Sequence, residues 1–87
     1  MVRQGIYEHY KSTPAKRRYY QVLFLSHYEE TLELMVQYIP LYELGENDAS
    51  KDGIAVWTRT LANFEETVEY NGAQMPRFKR IDSTIQE

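Results

Sequence analysis

The segment Val68-Glu69-Tyr70-Asn71-Gly72-Ala73-Gln74-Met75 carries the strongest structural signal in this chain. Asn-Gly between two strand-like runs is the preferred pair for a type I′ turn, because both turn positions need a positive φ. That turn fixes a register in which Tyr70 pairs with Ala73, Glu69 with Gln74, and Val68 with Met75. The apolar members of both strands then share one face. The sequence therefore predicts a β-hairpin here.

The longest upstream strand pattern covers residues 18–25. Tyr20, Val22 and Phe24 are predicted to share one face, with Leu23 and Leu25 on the other. Apolar residues on both faces are typical of a strand that passes through a closed or strongly curled sheet.

Four other segments complete the predicted elements. Residues 5–11 and 54–58 read as strands, and residues 61–64 as a single helical turn. Residues 29–39 fit both a helical stripe and a strand alternation. We favour a turn followed by a strand over residues 33–39, which ends or becomes an edge at Pro40 because proline cannot donate to a ladder.

About five short strands with almost no helix predict an all-β domain that forms a small barrel or roll. We expect a single domain over residues 1–87, with its core over 5–80 and a polar tail over 81–87. Residues 45–53, a polar loop bracketed by glycines, are predicted to be the most mobile internal segment.

The 87 residues contain no cysteine and carry a net charge of −3. Disulfides are therefore excluded, and the composition fits a reducing compartment. The N-terminus lacks the apolar run of a signal peptide, and no stretch approaches the roughly 20 apolar residues that span a bilayer. We expect a soluble, cytoplasmic protein that does not contact membranes.

Charge is distributed unevenly along the chain. Residues 3–27 are mostly basic, whereas residues 28–52 are mostly acidic. Lys16, Arg17 and Arg18 precede two tyrosines, which is the chemistry of contact with single-stranded nucleic acid. A solvated hairpin turn has the same composition, and the acidic net charge weighs against a dedicated nucleic-acid binder.

Seven short motifs in order resemble a family of small bacterial proteins catalogued as domain of unknown function 1653. The motifs are Gly5-x-Tyr7-x-His9-Tyr10-Lys11, Tyr20-x-Val22, His27 with Glu30-Thr31, Val36-x-Tyr38 with Leu41-Tyr42, Trp57-x-Arg59, Phe64-x-x-Thr67-Val68 and Pro76-Arg77-Phe78. The resemblance implies an SH3-like β-barrel and no particular activity. The chain departs from the family pattern at Ile39-Pro40, at Thr60, where a proline is usual, and in a longer loop over 45–53.

Polar and aromatic side chains alternate on two of the predicted strands. Tyr7, His9 and Lys11 share one face of the first strand, and Trp57 and Arg59 share a face of a later one. With His27, they would form a ligand-binding pocket if the two faces converge, because an arginine fork binds carboxylate or phosphate beside an aromatic wall. The alternative is structural: both histidines are hydrogen-bonded and partly buried, and Arg59 packs its stem on Trp57.

No motif for catalysis appears in the sequence. There is no cysteine or other nucleophile motif and no glycine-rich phosphate loop, and two isolated histidines do not make a metal site. We therefore expect a non-enzymatic binding module without metal or cofactor, whose aromatic and basic face binds a small anion, a peptide or a nucleic-acid segment. The alternative is a structural or accessory domain that dimerises or docks on a larger partner through exposed aromatics.

Overall fold

The computed structural model describes residues 2–42 and 54–81. These residues form an all-β domain with one helical turn. In chain order the elements are β1 (Gly5–His9), β2 (Tyr19–His27), β3 (Leu34–Pro40), β4 (Trp57–Thr60), α1 (Leu61–Phe64), β5 (Thr67–Tyr70), β6 (Ala73–Pro76) and β7 (Phe78–Arg80). The described residues thus contain seven strands, whereas about five were predicted.

Five of the strands form one antiparallel sheet, in the order β4-β3-β2-β1-β7. Strands β5 and β6 form a separate hairpin, whose register matches the predicted one at all three pairs. Asn71 and Gly72 have φ values of 53° and 80°, as a type I′ turn requires.

The sheet does not close into the predicted barrel. Within residues 2–42 and 54–81, β4 and β7 are its two edges and no backbone ladder joins them. Hydrogen bonds from Arg77, the residue before β7, instead connect this edge to the segment that follows β4. The backbone N–H of Arg77 donates to the Glu66 carbonyl, and the Arg77 Nε donates to the carbonyl of Asn63 in α1.

Several predicted boundaries are corrected. Strand β1 ends at His9, because the chain turns there and the Ser12 N–H donates to the His9 carbonyl. Strand β4 begins at Trp57 and omits residues 54–56. Its register would place Ala55 opposite Pro40, which has no N–H for the ladder.

The ambiguous segment 29–39 is a turn followed by a strand, as favoured, and the helical turn at 61–64 is confirmed. Thr60 caps that turn, since its Oγ1 accepts from the Asn63 N–H at 3.0 Å. Strand β7 was not predicted, because three residues are too few for a period of two to be visible in sequence.

A β-bulge in β2 overturns the predicted face assignment. The ladder to β3 shifts register between Val22 and Phe24, so the side chains after it point the opposite way. Val22 is buried, Phe24 is 53% exposed, and Leu25 packs against the core. Strict alternation would have put Phe24 inside with Val22.

The core is small and largely aromatic. Its buried members are Tyr7, Val22, Val36, Tyr38, Phe64 and Phe78. Phe64 and Phe78 stack face to face with their centroids 4.1 Å apart, and Tyr7 meets the Phe64 ring edge-on at 5.4 Å. This stack joins α1 to the edge strand β7.

Two predictions lie outside the described residues: the mobile loop at 45–53, and the polar tail beyond Ile81. In the part of the chain that is described, no helix has the length and apolar character needed to cross a membrane.

Candidate functional site

Curling of the five-stranded sheet brings side chains from β1, β2, β3, β4 and β7 to one side. We call this the aromatic–arginine face, formed by Tyr7, His9, Tyr20, Tyr38, Arg59 and Phe78. Phe78 is its centre: the rings of His9, Tyr20 and Tyr38 approach it at 5.1, 5.5 and 5.7 Å, all at steep angles. Edge-to-face contacts of this kind are favourable for aromatic pairs.

Arg59 reaches the face from β4, on the opposite edge of the sheet from Phe78. Its guanidinium carbon lies 5.3 Å from the centre of the Phe78 ring. Its Nε donates to the Tyr38 hydroxyl at 2.8 Å, and its Nη1 donates to Asn63 Oδ1 at 2.5 Å. All three partners are neutral. No carboxylate within residues 2–42 or 54–81 forms an ion pair with Arg59.

His9 lies beside this guanidinium, half-buried against Tyr20 and Phe78. Burial, the largest cause, and the positive charges of Arg59, Arg18, Lys11 and Arg77 together lower the pKa of His9 from 6.5 to about 4. The imidazole is therefore neutral at physiological pH. Its Nδ1 accepts from the Lys11 backbone N–H at 3.1 Å, so the proton resides on Nε2, which is a donor.

Tyr20 connects His9 to the rim of the face. Its hydroxyl is 2.8 Å from that of Tyr42, and the guanidinium carbon of Arg18 is 5.9 Å from the centre of the Tyr42 ring. Burial and the hydrogen bond with Tyr42 raise the pKa of the Tyr20 hydroxyl. Tyr20 therefore remains protonated and acts as a hydrogen-bonding group, not as a base.

The structure brings Tyr7, His9 and Arg59 to one face, which was the geometric condition for the predicted pocket. Tyr7 is buried, and its hydroxyl donates to the Arg3 carbonyl at 3.0 Å, so its role is structural. The structural alternative placed the Arg59 stem on Trp57, and the contacts that the structure gives the guanidinium are with Tyr38, Asn63 and Phe78. Trp57 stands opposite Tyr38 in the ladder and is 36% exposed.

Lys11 and His27 are not brought into the face. Lys11 follows the end of β1, and its ammonium lies over the Tyr10 ring at 5.7 Å, although its charge still acts on His9. His27 is exposed at the far end of β2, where its Nδ1 lies 3.1 Å from the Leu32 carbonyl oxygen. The predicted pocket is thus reduced to residues around His9 and Arg59.

The predicted basic segment forms the turn between β1 and β2. Lys16 and Arg17 are exposed, and Arg17 pairs with Glu8 at 3.0 Å. Beside this turn lies a surface groove of about 310 Å³, which we call the basic groove. It is lined by Glu8, His9, Tyr10, Ser12, Arg17, Met75, Pro76 and Lys79, so it borders the aromatic–arginine face at His9.

Sequence reasoning missed Tyr20, Tyr38, Asn63 and Phe78 as parts of the face. Tyr38 and Phe78 looked like ordinary core residues, and both are indeed buried. The signal that was present is the spacing Trp57-x-Arg59-x-x-x-Asn63, because a helical turn after a strand returns the Asn63 side chain to Arg59.

Chemically, the face combines a guanidinium with neutral partners, a neutral imidazole donor and the Tyr20 hydroxyl, which stays protonated. This set donates hydrogen bonds to negative oxygen atoms. It offers no group poised to take a proton at neutral pH, because His9 titrates near pH 4 and the pKa of Tyr20 is raised.

Comparison with known proteins gives a family and a fold. A family model described as "Protein of unknown function (DUF1653)" matches residues 5–80. The chain is also similar to a crystal structure of a protein of that family from Bordetella bronchiseptica, with 31% sequence identity and a TM-score of 0.74. The match covers 99% of this chain and 95% of that one. No curated protein matches the chain.

Proposed function

This chain belongs to the DUF1653 family of proteins of unknown function, as its sequence motifs predicted, and we propose that it is a non-enzymatic binding module for a small organic anion. The ligand's carboxylate or phosphate oxygens lie between Arg59 and His9. A planar or apolar part of the ligand packs against the neighbouring rings, of which Trp57 is the exposed one.

The observation that carries this proposal is the environment of Arg59. A partly buried guanidinium is costly when only neutral groups surround it, and an anion offsets that cost. Arg59 meets two neutral oxygen acceptors and a ring face, with no carboxylate of the described residues in ion-pair range. The low pKa of His9 is due mainly to burial and, after that, to positive charges of which Arg59 is the largest contributor.

We also propose that the sheet is an open variant of the SH3-like barrel. In support, β2, β3 and β4 form a meander, a helical turn follows, and the last strand returns to pair with β1. That order of connections is the one expected of an SH3-like roll. The β5–β6 hairpin is then an insertion between the helical turn and the last strand.

A thermal-shift screen tests the function. Small aliphatic and aromatic carboxylates, nucleoside monophosphates and inorganic phosphate are added to the wild-type protein. A ligand at one hundred times its Kd stabilises the fold by about 2.7 kcal/mol, which is a measurable rise in Tm. Calorimetry then gives the affinity of each compound that raises the Tm.

Two arginine variants show whether the ligand uses the proposed face. Arg59→Lys keeps the charge but loses the planar fork, so we expect the affinity to fall about tenfold or more. Arg17→Gln is the matched control, because Arg17 is an exposed arginine paired with Glu8. The proposal is wrong if no anion raises the Tm, or if the two variants weaken binding equally. Binding of oligonucleotides in preference to every small anion would also contradict it.

A further inference from the structure

The two ends of β2 carry opposite charge. The chain turns through Lys11, Lys16, Arg17 and Arg18 before the strand and through Glu29, Glu30 and Glu33 after it. Nine residues at about 3.3 Å each separate the two ends by roughly 30 Å. Within the described residues, the turn before β2 is therefore basic and the turn after it is acidic.

The acidic end is a rigid, protruding turn. We call residues 28–33 the acidic tip. Its backbone is tied by hydrogen bonds from the Tyr28 N–H to the Glu33 carbonyl at 2.8 Å and from the Leu32 N–H to the Tyr28 carbonyl at 2.6 Å. Because these hydrogen bonds already order the backbone of the tip, association through it avoids much of the conformational-entropy cost of binding.

Leu32 is the unusual residue of the tip. It has a φ of 61°, in the left-handed region that is unfavourable for leucine. Its side chain is 69% exposed, the largest exposure among the big apolar residues described, and Tyr28 beside it is 49% exposed. A strained backbone that displays an apolar side chain to solvent points to a contact.

The basic groove at the other end of β2 complements this tip. Tyr10, Met75 and Pro76 give it apolar surface, and Lys79 gives it a positive charge in addition to the ion pair of Arg17. Glu8 is the acidic residue in its lining, and it is already paired with Arg17. An apolar side chain ringed by carboxylates fits a surface of this composition.

We infer that the domain forms an antiparallel twofold dimer, in which the acidic tip of each copy enters the basic groove of the other. Since tip and groove lie at opposite ends of the same strand, one antiparallel alignment makes both contacts at once. Such an interface is closed and self-complementary. The basic groove shares His9 with the anion-binding proposal, but neither the tip nor the groove includes Arg59. The dimer is measured without added anion and the anion by the Arg59 variants, so the two proposals can fail separately.

Sedimentation velocity over a wide range of protein concentrations tests the dimer. The wild type should dimerise, and added salt should weaken the dimer because its contacts are between exposed charges. Leu32→Asn should raise the dimer Kd about tenfold or more by removing the apolar anchor. Asparagine tolerates a positive φ, so this variant should keep or raise the Tm. Val56→Thr is the control, because Val56 is 47% exposed and lies outside both surfaces.

A charge exchange gives the decisive result. One variant carries Glu29→Lys, Glu30→Lys and Glu33→Lys, and the other carries Lys16→Glu and Lys79→Glu. Each alone should be monomeric, since like charges then face each other in both contacts. Mixed in equal amounts, they should form a heterodimer, because both contacts again join opposite charges.

Three outcomes would overturn the inference: a wild type that stays monomeric, a dimer that Leu32→Asn leaves unchanged, or charge variants that fail to associate on mixing. Far-UV circular dichroism of each variant confirms that it is folded, so a monomer can be attributed to the lost contact.

Discussion

The imidazole of His9 is held neutral by its surroundings, and this has a consequence for stability. In the unfolded chain His9 regains its ordinary pKa of 6.5, whereas in the folded state its pKa is about 4. The folded protein therefore binds fewer protons between these values. Stability due to neutral His9 is fully present above pH 6.5 and is lost as the pH falls toward 4.

We expect this effect to cost roughly 1–3 kcal/mol of unfolding free energy between pH 7 and pH 4.5, with allowance for solvent screening at a half-buried group. Urea unfolding at several pH values measures it, and an NMR titration of the His9 ring should give a midpoint near pH 4. His27→Gln is the control, since it removes an exposed imidazole and leaves His9 in place. A midpoint near 6.5 for His9 would contradict its burial and its proximity to the surrounding cations.

The residues of the site also show why only some of them could be predicted from the sequence. His9 and Arg59 were identified because each stands two positions from an aromatic residue on a predicted strand. Tyr38 and Asn63 were not, because their contacts with Arg59 depend on how far the sheet curls and where α1 begins. Those distances are tertiary properties, and no local pattern encodes them.

Among the elements, the β5–β6 hairpin depends most directly on its sequence. Gly72 has a φ of 80°, and a Cβ added there would meet nothing within 4 Å. Gly72→Val should therefore destabilise the domain by roughly 1–3 kcal/mol through backbone strain alone, without a steric clash. Gly72→Asn is the matched variant, because asparagine tolerates this conformation, and it should cost much less. Equal melting temperatures for the two variants would contradict the type I′ turn.

The other elements show which signals are local and which are not. Asn71-Gly72 specifies a turn and, through it, the whole register of β5 and β6. In β2 the alternation of apolar residues predicted the strand correctly but not its faces, because the bulge after Val22 inverts them. A bulge is set by the pairing partner, here β3, so the sequence of β2 by itself does not reveal it.

For the molecule as a whole, closure of the sheet is the feature that was predicted least accurately from the sequence. An all-β domain was predicted correctly, but closure by a backbone ladder was wrong. The edges β4 and β7 are joined through side chains, with Arg59 of β4 over the ring of Phe78 in β7. Arg59 thus holds the sheet together at the same place where we propose that it binds an anion.

This double role predicts an energetic coupling across the open edges. Arg59→Gln and Phe78→Leu should each lower the free energy of unfolding. The double variant should lower it by about 0.5–2 kcal/mol less than the sum of the two single effects, because either change removes the same cation–ring contact. Urea unfolding of the four proteins measures the coupling. Arg17→Gln combined with Phe78→Leu is the control cycle, and its effects should add, since Arg17 is an exposed residue that pairs with Glu8. If the effects in the Arg59 cycle also added, Arg59 would not join the two edges of the sheet. A ligand would then have to offset the full desolvation cost of its partly buried charge.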